Sequence, residues 1–384
     1  MVGEQFLLVP GPTPIPDRVS RAMSRPMINH RGPEFREMLE EVTAEVKNIC
    51  CTRDHLIIYP SSGTGALEAA VTNFISPGDK VLAITMGVFG ERFADIAASF
   101  GARVERMAVK WGQAADPDMI RERMLKDPNR EIKALLVTHN ETSTGVYNDI
   151  KMIREAMGEH PALFMVDAVS SLSALELKMD AWGIDVILSG SQKAFMIPPG
   201  LSFMTFSERA LKASREADNP RYYWDVSLGL KYLEKGQTAF TPAISLFYGL
   251  REALTMLKEE GLENIIARHK KYRTLVRTSV RAMGLELLAH DNHASPSLTS
   301  VIAPASLGSN RVRQYMSEKF NIVMAGGQQQ LDDVIFRIGH LGYIRELDLL
   351  SVMAALEITL AQLGHDITLG VGVSRAQKVI LENI

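Results

Sequence analysis

Short apolar runs alternate with helical patterns over residues 55–206 of this 384-residue chain. The runs are HLIIYP (55–60), KVLAIT (80–85), KALLVTH (133–139), LFMVD (163–167), DVILSG (185–190) and LSFMTF (201–206). Amphipathic segments between them predict crossover helices over 65–75, 89–100, 117–126 and 149–158. Alternating strands and helices are typical of a largely parallel sheet that is covered on both faces.

Turn-rich segments follow four of these predicted strands directly. They are SSGTG, HNETSTG, DAVSS and SGSQK. In open parallel sheets, ligands bind at the carboxyl ends of the strands. The sequence therefore predicts one binding site that is built from all four segments.

The pattern changes after about residue 255. The stretch EALTMLKEEGLENIIARHKKYRTLVRTSVRAMG predicts amphipathic helices with a break near Gly261. Strands are predicted in LELLAH, SLTSVIAP, IVMAG and DVIFRIG, and helices over 309–320 and 347–363. These elements predict an α+β second domain. The expected division is an N-terminal arm over 1–20, a large domain over 21–260 and a small domain over 261–384.

Composition narrows the possible partners. A formal net charge of −3 favours neither nucleic acid nor an anionic membrane. The start MVGEQFLLVPGPTPIP lacks the pattern of a secretory signal, and no apolar run approaches the roughly 20 residues of a membrane span. The two cysteines, Cys50 and Cys51, are adjacent, which suits neither a disulfide nor a metal site. We therefore expect a cytoplasmic protein without a metal, a nucleic-acid partner or a membrane partner.

Lys193 lies in SGSQKAFMIPPG (189–200), directly after a predicted strand and before an apolar segment. Apolar surroundings disfavour the charged form of a lysine and lower its pKa. The neutral amine is the form that makes a Schiff base with an aldehyde or a ketone. The alternative is a surface lysine whose stem packs on the prolines.

Asp167 ends the apolar run LFMVD. A buried carboxylate needs a cationic partner or several hydrogen-bond donors. One suitable partner is a protonated pyridine nitrogen, and a protonated ring withdraws electrons from a carbanion formed on a substrate. The alternative is an aspartate that caps a helix or binds the backbone at the end of its strand.

The segment SSGTGALEAA places Ser62, Gly63 and Thr64 at the start of a predicted helix. Free N–H groups, hydroxyls and the helix dipole make such a position suitable for phosphate. The segment is neither a complete dinucleotide fingerprint nor a Walker loop, because Glu68 replaces the third glycine and no GK[ST] is present. Ordinary helix capping is the alternative.

Two further residues fit the same site. Phe89, in GVFGER, opens a predicted helix and could stack on a flat ring, or it could be a plain core contact. Arg337, in IFRIGHLG, lies inside an apolar strand of the second domain. Its planar guanidinium suits a carboxylate held by two hydrogen bonds, and an ion pair between the domains is the alternative.

A reactive lysine, a carboxylate at a strand end, a phosphate site and a stacking aromatic are together the requirements of pyridoxal 5′-phosphate. At these residues the chain resembles the class V aminotransferases of fold type I, especially the alanine–glyoxylate and serine–glyoxylate group. It also resembles cyanobacterial proteins of the same group that were once labelled a small subunit of a soluble hydrogenase. The motifs that carry the resemblance are LLVPGPTPIP, NHRGPEF, SSGTGALEAA, GVFGER, HNETSTG, VDAVSSL, SGSQKAFMIPPG, TPAISL and FRIGHLG.

The resemblance implies a fold with a mainly parallel seven-stranded sheet in the large domain and a smaller α+β C-terminal domain. It also implies how the cofactor is held. Lys193 would bind it covalently and, once released, act as the base, while Asp167 would pair with the pyridine nitrogen. The remaining cofactor contacts would be Ser62, Gly63, Thr64 and Gln192 at the phosphate, Thr142 at the ring edge and Phe89 on the ring face.

The resemblance further implies a homodimer with shared active sites, because Thr241 would reach the phosphate from the other subunit. Arg337 would bind the α-carboxylate of a small amino acid, alanine or serine, and of the acceptor, glyoxylate or pyruvate. The implied activity is transamination by a ping-pong mechanism.

Three alternatives remain. One is another enzyme of the same family, a transaminase for aminoethylphosphonate or pyridoxamine. A second is a desulfurase or a lyase, although a desulfurase needs a mobile cysteine near the site and Cys50 and Cys51 lie before the first predicted strand. The third is a non-catalytic hydrogenase-associated subunit, which predicts loss of the cofactor residues.

Overall fold

Two main β-sheets organise residues 5–382, which are the part of the chain that the computed structural model describes. In chain order the strands are β1 (Phe6–Leu8), β2 (His55–Tyr59), β3 (Lys80–Thr85), β4 (Arg103–Ala108), β5 (Ile132–Thr138), β6 (Asn140–Glu141), β7 (Val146–Tyr147), β8 (Leu163–Asp167), β9 (Val186–Gly190), β10 (Ser202–Phe206), β11 (Glu286–Leu287), β12 (Leu298–Ile302), β13 (Ile322–Gly326) and β14 (Ile335–Gly339). The helices are α1 (Asp17–Met23), α2 (Pro33–Ile49), α3 (Gly63–Phe74), α4 (Val88–Ser99), α5 (Pro117–Leu125), α6 (Ile150–Met157), α7 (Glu208–Glu216), α8 (Val226–Leu233), α9 (Ile244–Glu260), α10 (Leu262–Ala282), α11 (Ser309–Phe320), α12 (Glu346–Gln362) and α13 (Val371–Leu381), with two short 3-10 helices at Asp291–His293 and Gln329–Leu331.

The larger sheet has seven strands in the order β2-β10-β9-β8-β5-β3-β4. Only β10 runs against its neighbours, and the other adjacent pairs are parallel. Side chains of β3 alternate between two cores, with Leu82 and Ile84 on one face and Val81 and Ala83 on the other. Helices α2, α6 and α9 cover the first face, and α3, α4 and α7 cover the second. The predicted mainly parallel, doubly covered sheet is confirmed.

The six predicted strands of this sheet match β2, β3, β5, β8, β9 and β10 to within a residue or two at each end. The prediction missed β4, which is an edge strand with the sequence RVERMA. Its side chains are half-buried or exposed, because β4 pairs with β3 alone. Charged edge strands protect a sheet against further pairing, and they carry little apolar signal for the same reason.

The second sheet has the order β1-β13-β14-β12-β11 and thus joins the two ends of the chain. Strand β1, in the predicted N-terminal arm, pairs in parallel with β13. The backbone after β1 then passes directly over Gly339, where a Cβ atom would lie 2.8 Å from the carbonyl oxygen of Leu8. Residues 1–4 of the predicted arm and 383–384 of the predicted small domain lie outside the described residues.

The predicted break between the two long helices is confirmed at Gly261, which separates α9 from α10. Gly261 has φ +85°, a left-handed conformation that glycine adopts readily. The predicted strand LELLAH is much shorter in the structure, where only Glu286–Leu287 pair with β12. Among residues 5–382 we find no helix with both the length and the apolar character that a membrane crossing requires.

Candidate active site

The carboxyl ends of the parallel strands meet at one edge of the large sheet. Thr138 at the end of β5 lies beside Asp167 at the end of β8, which lies beside Leu188 of β9. Strand β9 ends at Gly190 and leads directly to Lys193. The predicted segments HNETSTG, DAVSS and SGSQK therefore start side by side at this edge.

Lys193 is covered by the N-terminal arm. Its Nζ donates a hydrogen bond of 3.1 Å to the carbonyl oxygen of Pro10, and Thr13 Oγ1 donates one of 2.9 Å to the carbonyl oxygen of Lys193. Gly11 lies between these contacts with φ +136°, and a Cβ there would be 2.5 Å from Lys193 Cδ. The arm thus covers the amine, and the alternative of a surface lysine whose stem packs on the prolines is wrong.

The electrostatics of Lys193 favour a neutral amine. Burial lowers its pKa to about 8, and the positive charges of Arg337 and Arg92 act in the same direction. The Asp167 carboxylate opposes them by stabilising the ammonium form. A lysine with such a pKa is a better nucleophile and base near neutral pH than an exposed one.

Asp167 is only 3% exposed. Its Oδ1 accepts a 2.9 Å hydrogen bond from the Val169 N–H, and we find no partner for Oδ2 among the described residues. Burial raises its pKa to about 7, and the negative charge of Glu141 raises it further, while Lys193 and Arg92 lower it. The structure therefore combines features of both readings: Asp167 binds the backbone, and one carboxylate oxygen can still face a cationic group.

The start of helix α3 forms a cradle against the end of β9. Ser62 is the N-cap, and no side chain caps this helix. A Cβ at Gly190 would lie 3.2 Å from the backbone nitrogen of Gly63 and 3.0 Å from Gln192 Oε1. That Oε1 atom is buried and has no hydrogen-bond partner within the described chain. Ser62, Gly63 and Gln192 are therefore together, as predicted, and Thr64 follows them in the first turn of α3.

Arg337 is buried beside the same edge. Its Nε donates to the carbonyl oxygen of Gly326 and its Nη1 to that of Thr142, both at 2.8 Å. Over residues 5–382 we find no acceptor for a hydrogen bond from Nη2, and no carboxylate there lies within ion-pair distance of Arg337. The predicted alternative, an ion pair between the domains, is therefore wrong. Burial lowers the pKa of Arg337 to about 10, and the charge of Glu141 opposes this shift.

Phe89 and Arg92 lie one turn apart at the start of α4. Phe89 is half-buried, and the Arg92 guanidinium carbon lies 4.8 Å from the centre of its ring. Sequence reasoning missed Arg92, although its charge acts on both Lys193 and Asp167. Its position in GVFGER, three residues after Phe89 and thus on the same helix face, was the available signal.

Thr241 is not brought to the other predicted residues within one chain. It is exposed and lines a separate cavity with Tyr59, Pro60, Tyr223 and Phe240. The role of Thr241 at the phosphate therefore stays a prediction.

Both cysteines lie far from Lys193. Cys50 is buried, with its Sγ 3.8 Å from Thr205 Oγ1. Thr205 pairs with Ile187 near the start of β9, which is the opposite edge of the sheet. The desulfurase alternative therefore has no cysteine at the site in the described range.

The motifs and the fold agree with one family. The model of class-V aminotransferases matches residues 5–345. The chain belongs to this family. The aminotransferase is 43% identical to the soluble hydrogenase 42 kDa subunit of Anabaena cylindrica over 97% of this chain and 98% of that one. It is 37% identical to the serine–glyoxylate aminotransferase of Arabidopsis thaliana, over 100% and 96% of the two chains.

A solved structure shows the same architecture. The ureidoglycine–glyoxylate aminotransferase of Bacillus subtilis superimposes on this aminotransferase with a TM-score of 0.94, at 30% identity and over 99% of both chains. The expected family and the expected fold type I are thus confirmed.

The lowered pKa of Lys193 gives a testable pH profile. We expect the rate of labelling of Lys193 by formaldehyde and cyanoborohydride to rise with pH through about 8, and not through the ordinary lysine value of 10.5, because only the neutral amine reacts. Peptide mass spectrometry of the ligand-free protein measures this rate. Asp167→Asn should move the midpoint to lower pH, since the carboxylate raises the pKa of Lys193. A midpoint near 10.5 in the unchanged protein would contradict the burial argument.

Proposed function

We propose that this aminotransferase uses pyridoxal 5′-phosphate to transfer the amino group of alanine or serine to glyoxylate or pyruvate by a ping-pong mechanism. The observation that carries the proposal is the placement of the half-buried Lys193 and the buried Asp167 at the carboxyl edge of the sheet, where each acts on the pKa of the other. The similarity to the serine–glyoxylate aminotransferase of Arabidopsis thaliana supports serine as donor and glyoxylate as acceptor.

The residues at this edge fit the proposed cofactor. The uncapped N–H groups at the start of α3 suit the phosphate, and the unpaired Gln192 Oε1 lies beside them. Asp167 has a carboxylate oxygen free for a protonated ring nitrogen. Phe89 offers a half-buried ring for stacking, and Thr142 is buried next to Arg337. A phosphate, a flat ring and an aldehyde thus each have a partner.

When bound, pyridoxal 5′-phosphate supplies an electron-withdrawing ring that makes the α-proton of an amino acid acidic. Lys193 Nζ is the base in this proposal: it accepts the α-proton and returns it at a different carbon. Its lowered pKa keeps a useful fraction neutral near pH 8. The Pro10 carbonyl oxygen accepts a hydrogen bond from Nζ and holds it in place, and the arm partly covers it.

Arg337 orients both substrates in this proposal. Amino acids and 2-oxo acids share a carboxylate, and a transaminase must hold it in one position. Two carbonyl oxygens fix the guanidinium, and Nη2 remains for the substrate. Because the fork is planar and rigid, it sets the direction of the α-carbon relative to Lys193.

The central test uses two variants and one control. Wild-type protein loaded with the cofactor should be yellow and should bleach when alanine or serine is added. Lys193→Ala should lose activity by several orders of magnitude, because general acid–base catalysis alone contributes about 10²–10⁴-fold. Asp167→Asn should retain cofactor and lose most turnover. Lys151→Ala, on the exposed face of α6, should leave the rate unchanged.

Borohydride reduction followed by peptide mapping identifies the lysine that carries the cofactor, and another lysine would refute the assignment. Bleaching by pyridoxamine or aminoethylphosphonate, without any response to alanine or serine, would favour the alternative transaminases. A protein that binds no cofactor would favour the non-catalytic subunit.

Arg337→Lys tests carboxylate recognition. We expect the use of alanine to weaken by about 1.5–3 kcal/mol, which is the range for hydrogen bonds to charged groups. Cofactor content should not change. The measurement is the ratio of kcat/KM for alanine to that for ethylamine, which lacks the carboxylate. Arg345→Lys, exposed at the start of α12, is the matched control. Equal losses on both amines would show that Arg337 only supports the fold.

We also propose that the active enzyme is a homodimer in which Thr241 reaches the phosphate of the partner subunit. The exposure of Thr241 away from the other site residues supports this, and twofold dimers are the commonest oligomers. The Thr241→Ala and Lys193→Ala variants should each have low activity when assayed alone. Mixed and reassembled, they should regain activity, because each hybrid contains one site with both native residues. Absence of recovery in verified hybrids would contradict a shared site.

A further inference from the structure

Glu141 is a fully buried carboxylate with no role in the proposal above. Its Oε2 accepts hydrogen bonds from the backbone N–H groups of Phe89 at 3.1 Å and Gly90 at 2.9 Å. Its Oε1 accepts from Ser143, at 3.1 Å from the backbone N–H and at 2.6 Å from the hydroxyl. Glu141 thus joins the first turn of α4 to the turn that follows β6.

The glycines of GVFG make room for this carboxylate. A Cβ at Gly87 would lie 2.5 Å from Glu141 Cδ and would also meet the Ser143 hydroxyl. A Cβ at Gly90 would lie 2.9 Å from the carbonyl oxygen of Ile84. Since the helix start must approach both β3 and Glu141 closely, small residues are required on either side of Phe89.

Each of the two segments that Glu141 joins contacts or carries a residue of the candidate site. Phe89 lies on α4, and its own N–H is one of the donors. Thr142, between Glu141 and Ser143, supplies the carbonyl oxygen that fixes Arg337 Nη1. Glu141 therefore connects the aromatic ring to the guanidinium through a few covalent bonds and hydrogen bonds.

We propose that Glu141 is a positioning residue that sets the placement of the Phe89 ring relative to the Arg337 guanidinium, and thereby the orientation of a carboxylate ligand over the ring. The inference rests on the proposed function of Phe89 and Arg337. Glutamine cannot replace Glu141 because both carboxylate oxygens accept N–H donors, and an amide NH₂ would face one of those sets.

The charge of Glu141 has a second effect on the site. It opposes the lowering of the Arg337 pKa, and it raises the pKa of Asp167. Burial raises the pKa of Glu141 itself, while its hydrogen bonds from Ser143, Gly90 and Phe89 oppose that shift.

The test compares Glu141→Gln, Ser143→Ala and the control Glu91→Gln. Glu91 lies in the same first turn of α4, but it is partly exposed and pairs with Arg106. Two readouts report on position and not on overall stability. The first is propionate binding by calorimetry, which probes the carboxylate site without turnover. The second is the circular dichroism of bound pyridoxal 5′-phosphate in its visible band, which depends on the orientation of the ring.

We expect Glu141→Gln to weaken propionate binding about tenfold, equivalent to about 1.4 kcal/mol, and to reduce the visible signal. Ser143→Ala removes one of the bonds to Glu141 and should weaken binding about threefold, less than Glu141→Gln, because the backbone N–H donors still hold the carboxylate. Glu91→Gln should stay within about twofold, as surface substitutions do.

A folded Glu141→Gln protein with unchanged propionate affinity and unchanged visible signal overturns the inference. If Glu141→Gln does not fold, Ser143→Ala decides, and unchanged propionate affinity in that variant overturns it. The two proposals fail separately. If the Glu141→Gln variant loses propionate affinity but the unchanged enzyme does not transaminate alanine or serine, the proposed substrates are wrong and the role of Glu141 stands. If the unchanged enzyme transaminates alanine but the variants bind propionate normally, the role of Glu141 is wrong and the proposed substrates stand.

Discussion

The candidate active site depends on two groups of opposite charge that are removed from water, the half-buried Lys193 and the buried Asp167, after and at the ends of neighbouring strands. Burial shifts both pKa values toward neutrality, to about 8 and about 7. Each group stabilises the charged form of the other and so limits the shift. Removing the two charges from water costs free energy, which the packing of the large sheet, its helices and the N-terminal arm must offset.

The second sheet positions two parts of the candidate active site. It holds β1, from which the arm continues to Pro10, and β14, which carries Arg337. Arg337 in turn binds the carbonyl oxygens of Gly326 in this sheet and of Thr142 next to the larger one. The amine cover and the guanidinium are therefore attached to the same small sheet, and a movement of that sheet would displace both together.

Sequence patterns predicted those elements whose residues are close together in the chain. Apolar runs located the strands of the large sheet except β4, whose charged edge sequence lacks the signal. Asp167 ends β8 and Lys193 follows β9. Both could be predicted to lie at one edge because parallel strands bring their carboxyl ends together. The contact of Pro10 with Lys193 and the anchoring by Glu141 were missed, because each depends on the packing of distant segments. The proposed role of Thr241 requires a second subunit, so a single chain cannot test it.

The pairing of β1 with β13 has a consequence for biosynthesis. Phe6 pairs with Ile322, so the first strand to leave the ribosome must wait for most of the chain before it finds its partner. Closing so large a loop is entropically unfavourable and slow compared with local contacts. The large sheet, by contrast, consists of strands between residues 55 and 206 and can assemble earlier. Pro10, which accepts the hydrogen bond from Lys193, follows β1 closely, so the strand that anchors this end of the arm is in place only after β13 has been made.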